Sequence, residues 1–238
     1  MKTKLISLSF VLLMGVSAWA DDVWNYNVYD DCSKNGYKAC YDIQAVDLGL
    51  PSGIKWALCN IGAEKPEDYG NYYAWGEVLS KENYSWKTYK YANGAYDKLT
   101  KYCNKESYGD NGFTDNKTTL APEDDAAHVN WGGSWRMPTD AEWQELKDNC
   151  TWTWTTQNGI NGYQVASKTN SNSIFLPAAG YRDGGTYLYF VGNSGNYWSS
   201  SLDEGNPGLA WYLYFNSDYV TRYYGNRYAG QSVRPVCP

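Results

Sequence analysis

From residue 150 onward, polar and apolar positions alternate in short runs separated by Asn/Gly turns. TWTWTT, GYQVAS, SIFLPAAG, YLYFVG, YWSSS, AWYLYF, YVTRYY and SVRPV each read as a strand, and their close spacing predicts an antiparallel meander. In AWYLYF a period of two puts Trp211, Leu213 and Phe215 on one face and Tyr212 and Tyr214 on the other. The first face is expected to be core, and the second aromatic, polar and available. NSDYVTRYYGNRY, residues 216–228, extends the pattern: NSD is a turn, YVTRYY a strand with Tyr219, Thr221 and Tyr223 on one face, and GN the next turn.

Upstream the texture differs. AVDLGL and IKWALCNI read as strands around a Pro51-Ser52-Gly53 turn, and NYYAWGEV as a third. Residues 80–120 are polar and Gly/Asn-rich and read as a long, weakly structured insertion. Thr139 and Glu142 form a capping box, Asp140 suits the positive end of a helix, and Trp143 and Leu146 share a face, so a helix is predicted over about 140–149. PEDDAAHVN predicts a shorter helix with Pro122 in its first turn, and Gly132-Gly133 then reverses the chain.

The first twenty residues change the picture of address. Lys2 and Lys4, the apolar stretch LISLSFVLLMGV and Ala18-Trp19-Ala20 read as a signal peptide, so an exported, soluble chain is expected, secreted, at the cell surface or in the periplasm. Residues 21–44 read as an N-terminal extension and 45–238 as a single domain. The net charge is −6, and removing the two leader lysines leaves −8, which argues against nucleic acid and anionic membranes as partners; no later segment reads as a membrane span. With 12 Trp and 24 Tyr, the core can be built largely from rings. Six cysteines, Cys32, Cys40, Cys59, Cys103, Cys150 and Cys237, in an exported chain favour disulfides. Cys32 and Cys40, flanking a short turn-rich loop, are the clearest pair, and the absence of C-x-x-C and of a second histidine argues against zinc.

Candidate chemistry is sparse. His128, on a short helix before Trp131, reads as a packing or hydrogen-bonding residue rather than a base. Glu123, Asp124 and Asp125 offer hard oxygen ligands for calcium, but three acids at a helix start are more simply explained by the helix dipole. No nucleophile–base pair or phosphate loop is visible, and no cofactor or metal is expected. What stands out is the Tyr/Asn/Arg-rich stretch of Tyr212, Tyr214, Asp218, Tyr219, Thr221, Arg222, Tyr223, Tyr224 and Asn226, with Tyr181, Arg182, Tyr187 and Tyr189 as an extension. Tyr gives a large rigid contact at low entropy cost while small polar residues adapt hydrogen bonds, the physics of antibody paratopes; Tyr pairs that merely stabilise a sheet are the rival explanation.

VDLGLPSGIKWALCNIGA, DYGNYYAWGE, DDAAHVNWGGSWRMPTDAEWQELKDNCTW, FLPAAGYR, YWSSS and GQSVRPV, in that order over about residues 45–237, resemble the Fibrobacter succinogenes major paralogous domain of exported Bacteroidetes proteins. The resemblance implies an α+β, C-type lectin-like fold, an antiparallel β-meander with one or two short helices and disulfides, related to formylglycine-generating enzymes and to the variable proteins of diversity-generating retroelements. Arg227, Gly230 and Ser232 to Val236 match the family's frame, whereas Tyr219, Thr221, Arg222, Tyr223, Tyr224, Gly225 and Asn226 depart from its Asn-rich run, as a retroelement-diversified patch would. The implied function is a non-enzymatic adhesion or recognition protein whose partner is a protein or glycan on another cell, phage or host surface. A glycan-binding module is one alternative, although the EPN and WND signatures of calcium-dependent lectins are absent. A formylglycine-generating-enzyme-like oxidase is the other, weakened because the C-terminal part holds only Cys237, with Cys150 beyond the helix.

Overall fold

The computed structural model describes Trp24–Asn25 and residues 44–238; the leader and the Cys32–Cys40 loop lie outside the described residues. In chain order the elements are β1 (Trp24–Asn25), β2 (Gln44–Asp47), β3 (Lys55–Ala57), α1 (Ala126–Trp131), α2 (Asp140–Asn149), β4 (Cys150–Gln157), β5 (Ile160–Ser167), β6 (Ser173–Pro177), β7 (Tyr181–Asp183), β8 (Tyr187–Tyr189), β9 (Ser194–Leu202), β10 (Leu209–Asn216), β11 (Val220–Asn226) and β12 (Val236–Cys237). The architecture is α+β, with antiparallel sheets dominating. One sheet runs β1-β2-β3-β12, a second β4-β5-β6 and a third β11-β10-β9, while β7 and β8 form a hairpin.

The longer helix starts where the capping box places it. Thr139 Oγ1 accepts from the Glu142 amide at 3.2 Å, and Glu142 Oε2 accepts from the Thr139 amide at 2.7 Å. Arg136 then grips the same carboxylate with two N–H groups at 2.7 and 2.6 Å. Replacing Thr139 with Ala should lower stability by about 1 kcal/mol, measurable as a shift of the urea midpoint. Trp143 and Leu146 are buried as their spacing requires, with the Trp143 ring 4.5 Å from that of Trp56.

Indole and phenol rings fill two large cores. One gathers Trp56, Trp143, Tyr197 and Phe215 beneath α2; the other gathers Trp75, Tyr84, Tyr89, Tyr102 and Trp198. Their polar handles mostly find backbone acceptors: Trp75 Nε1 donates to Ser199 O at 2.8 Å, Trp198 Nε1 to Tyr73 O at 2.8 Å and Trp143 Nε1 to Trp198 O at 3.2 Å.

Several expectations need correction. NYYAWGEV is not a strand: Tyr73 makes a single bridge to Gln231, and Trp75 N–H goes to Arg227 O, because positive-φ glycines at 70 and 76 bend the segment away from any ladder. Residues 80–120 contain only short 3-10 turns, yet Tyr84, Tyr89, Tyr91, Leu99 and Tyr102 from this segment are buried. Ring burial, not secondary structure, orders it. SVRPV contributes only Val236 to β12, with Ser232 bridged to Tyr197. The disulfide framework is not found among the described residues: Cys59, Cys103, Cys150 and Cys237 are free thiols. Cys103, Cys150 and Cys237 sit in three different apolar clusters and behave as small hydrophobes, with burial pushing the Cys150 thiol up to about 11.

The acids before α1 also acquire separate jobs. Asp125 caps α1, accepting from the Ala127 and His128 amides at 2.8 and 3.0 Å and from the Met137 amide at 2.8 Å. Asp124 is buried and accepts from Tyr102 Oη at 2.6 Å, from Tyr91 Oη and from Lys101 Nζ. Burial alone would raise its carboxyl pKa, but Lys101, Tyr102 and Tyr91 outweigh that and hold it below the usual value. A carboxyl lowered in the folded state stabilises it above the unfolded pKa of about 3.9 and loses that contribution as pH falls through the folded value. Asp124→Asn should therefore be less stable by about 2 kcal/mol at pH 7, and the gap to wild type should close only below about pH 4 in urea titrations at stepped pH.

Candidate functional site

Chain pairing places Tyr212 opposite Tyr223 and Tyr214 opposite Thr221, so these four share one face of the β9-β10-β11 sheet. Leu213 and Phe215 face the core and are fully buried, as alternation requires. The Tyr face is not open, however. Tyr212 is only 9% exposed, its ring edge-on to Trp198 at 5.7 Å. The β7–β8 hairpin and residues 229–231 fold over it and turn a flat surface into a cavity.

Several contacts hold the hairpin there. Arg182 and Gly230 exchange backbone hydrogen bonds at 2.8 and 2.9 Å, Gly180 N donates to Ser194 O at 2.7 Å, and Tyr84 and Gly185 exchange bonds at 2.7 and 3.0 Å. The Tyr84 contact explains why an apparently formless insertion matters: its rings brace one wall of the site. Gly230 is required here, since a Cβ would stand 2.6 Å from the Tyr84 ring.

The cavity has a volume of about 480 Å³, within the roughly 300–1,000 Å³ usual for small-ligand sites. Tyr212 and Tyr214 from β10, Tyr181 and Asp183 from β7 and Asn226 at the end of β11 line it. So do Phe190, Asn193, Asn196 and Gln231, together with Asn216. Burial raises the phenols of Tyr181, Tyr212 and Tyr214, which remain neutral O–H donors and acceptors through the physiological range. Tyr228 behind Asp183 is pushed up to about 12 by burial and by hydrogen bonding to that carboxylate. Asp183 is the one charged group lining the cavity, and no Lys, Arg or His joins it.

Of the residues singled out in the sequence, Tyr181, Tyr212, Tyr214 and Asn226 meet in the cavity. Tyr219 and Tyr223 stand exposed beside it, their rings 5.7 Å from Tyr214 and 6.0 Å from Tyr212, with Thr221 between them on β11. Tyr187 and Tyr189 form an exposed ridge with Phe190 on the hairpin side. Asp218 lies in the turn, its amide bonded to Asn216 Oδ1 at 2.9 Å. Two arginines point elsewhere. Arg222 crosses to the Asp140 carboxylate at the start of α2, and Arg182 lies on the Tyr72 ring at 5.2 Å while donating to Thr186 O. Tyr224, exposed on β11, lies edge-on to Trp211 at 5.5 Å and stacks on the Tyr223 ring at 5.2 Å.

Phe190, Asp183, Asn196 and Gln231 were not legible as site residues. Gln231 sits in the GQSVRPV frame and reads as scaffold, and Asn196 lies inside a strand. Only Phe190, next to YLY, carried a local signal.

A second, smaller cavity of about 280 Å³ is lined in part by Asp125, His128 and Trp135. Its acid is committed to the α1 cap, and His128 Nδ1 lies 3.3 Å from Trp135 O, so both polar groups have structural partners. Among the described residues no group of three or more His, Cys, Asp or Glu could hold a metal ion, and no helix is long and apolar enough to cross a membrane. No family model, curated protein or solved structure matches the chain.

Proposed function

We propose that the chain is an exported, non-enzymatic recognition or adhesion protein of C-type lectin-like fold. Its ligand enters the cavity between the β7–β8 hairpin and the Tyr face of the β9-β10-β11 sheet. One observation carries this: Tyr181, Tyr212, Tyr214 and Asn226, from three separate strands, converge on one 480 Å³ space beside exposed Tyr219 and Tyr223. Tyr residues used only as cross-strand pairs would need no such space. The α+β architecture fits the fold that the sequence resemblance implies, and of the positions departing from the family's frame Gly225 and Asn226 line the cavity and Tyr219, Thr221 and Tyr223 stand beside it, while Arg222 turns away to Asp140. No nucleophile–base pair faces the cavity, whose one acidic side chain is Asp183.

Beads carrying the whole chain should be retained by at least one member of a panel of bacterial and host cells. The Tyr223→Ala/Asn226→Ala variant should lose that retention by about tenfold or more with Tm nearly unchanged, because Tyr223 is exposed and Asn226 half-buried. Absence of retention by wild type across the panel, or undiminished retention by the variant, would overturn the proposal.

A further inference from the structure

We infer that the cavity takes a neutral carbohydrate, a refinement that rests on its being a recognition site. The lining supplies carboxamides from Asn193, Asn196, Asn216, Asn226 and Gln231; Asn216 Oδ1 is already taken by the Asp218 and Tyr219 amides, and the other four keep donor or acceptor capacity beyond their bonds within the protein. Such amides match vicinal hydroxyls, which also donate and accept. With Asp183 the one charged group in the lining, phosphates, sulfates and carboxylates find no countercharge, and an apolar ligand would leave the amides unpaired.

The polar network is also incomplete by itself. Gln231 is 2% exposed, and its side-chain carbonyl has no donor in the protein. Buried polar atoms without partners are rare. A sugar hydroxyl, directly or through a water it fixes, supplies the missing donor.

The opposite wall is aromatic. Tyr181 and Phe190 lie near-parallel, 26° between planes and 6.2 Å between centroids, and Tyr189 continues the ridge. Phe190 is 59% exposed and its φ is +57°, the left-handed region that favours glycine. Holding a bulky ring in that conformation with its surface in water serves neither the core nor the backbone. It does place an aromatic face where the C–H side of a pyranose can stack while the sugar's hydroxyls reach Asp183 and the amides.

The experiment is an array of neutral, sialylated and sulfated glycans probed with the full chain, in calcium and in chelator, together with Phe190→Gly and Asp183→Asn. Binding to neutral glycans is expected, unchanged by chelator. Phe190→Gly should weaken it at least about tenfold while Tm stays level or rises, since the glycine relieves the strained backbone. Asp183→Asn should cost roughly tenfold. Binding confined to anionic glycans, dependence on calcium, or full affinity in Phe190→Gly overturns the inference. A silent array with the cells of the panel still retained overturns it while leaving the recognition site standing, whereas a silent array with no retained cells removes both.

Discussion

Arg227→Leu should lose about 4 kcal/mol of stability, the largest effect of any single change considered for this chain. The guanidinium is fully buried and donates to Tyr89 Oη at 2.9 Å, Tyr102 O at 3.0 Å, Pro207 O at 2.8 Å and Lys101 O at 3.0 Å. None of the ion pairs among the described residues uses it. Its charge is met instead by the faces of Trp75, Tyr89 and Tyr102, with Cζ 4.8, 5.3 and 5.9 Å from the ring centroids. Removing it strands buried acceptors in segments that otherwise share few regular contacts: the 80–120 insertion, the turn at 207 and the start of the final segment. Arg227→Lys should recover less than half of the loss, because one ammonium cannot span four fixed acceptors. Urea unfolding of both variants checks this; a loss below about 1 kcal/mol for Arg227→Leu would mean that the residue is not a keystone.

Gly180→Ala comes next, at about 3 kcal/mol. Gly180 has φ +63°, and an added Cβ would stand 2.0 Å from Tyr189 O and 2.8 Å from Val191 N. Both obstacles are backbone, so the β7–β8 hairpin must shift outward. That hairpin carries Tyr181, Asp183 and, just after it, Phe190, so ligand retention should fall along with the urea midpoint. A destabilised variant that still binds fully would separate the hairpin from recognition.

Helix α2 was legible because its signals are local: Thr139 and Glu142 are three residues apart, and Trp143 and Leu146 share a face. Alternation likewise revealed β4 to β6 and β8 to β11, though not the three-residue β7, and the split between Tyr212 and Leu213. The packing of Tyr84, Tyr91 and Tyr102 was not legible, since rings buried at irregular spacing leave no period. The two arginines of TRYYGNR were told apart only by the resemblance, which put Arg227 in the frame and Arg222 outside it; neither one's partners left a local signal. Arg222 reaches Asp140, 82 residues away in sequence, and Arg227 reaches Tyr102 O, 125 away. The cavity is the extreme case, because Phe190, Asn196 and Gln231 come from three segments whose meeting depends on the hairpin folding over β10. The four cysteines among the described residues misled for a different reason. The chain's even number of cysteines suggested a framework, whereas each buried thiol among the described residues fills a gap in its own apolar cluster.

Whether ligand sits in this cavity is decided by the aromatic NMR spectrum of the whole chain during titration with a set of neutral oligosaccharides. Saturable shifts should appear at Tyr181, Phe190 and Tyr212 and be absent at Trp131 and Trp135 beside the second cavity. Shifts confined to the second cavity, or no saturable shift at any of the three rings, would contradict it.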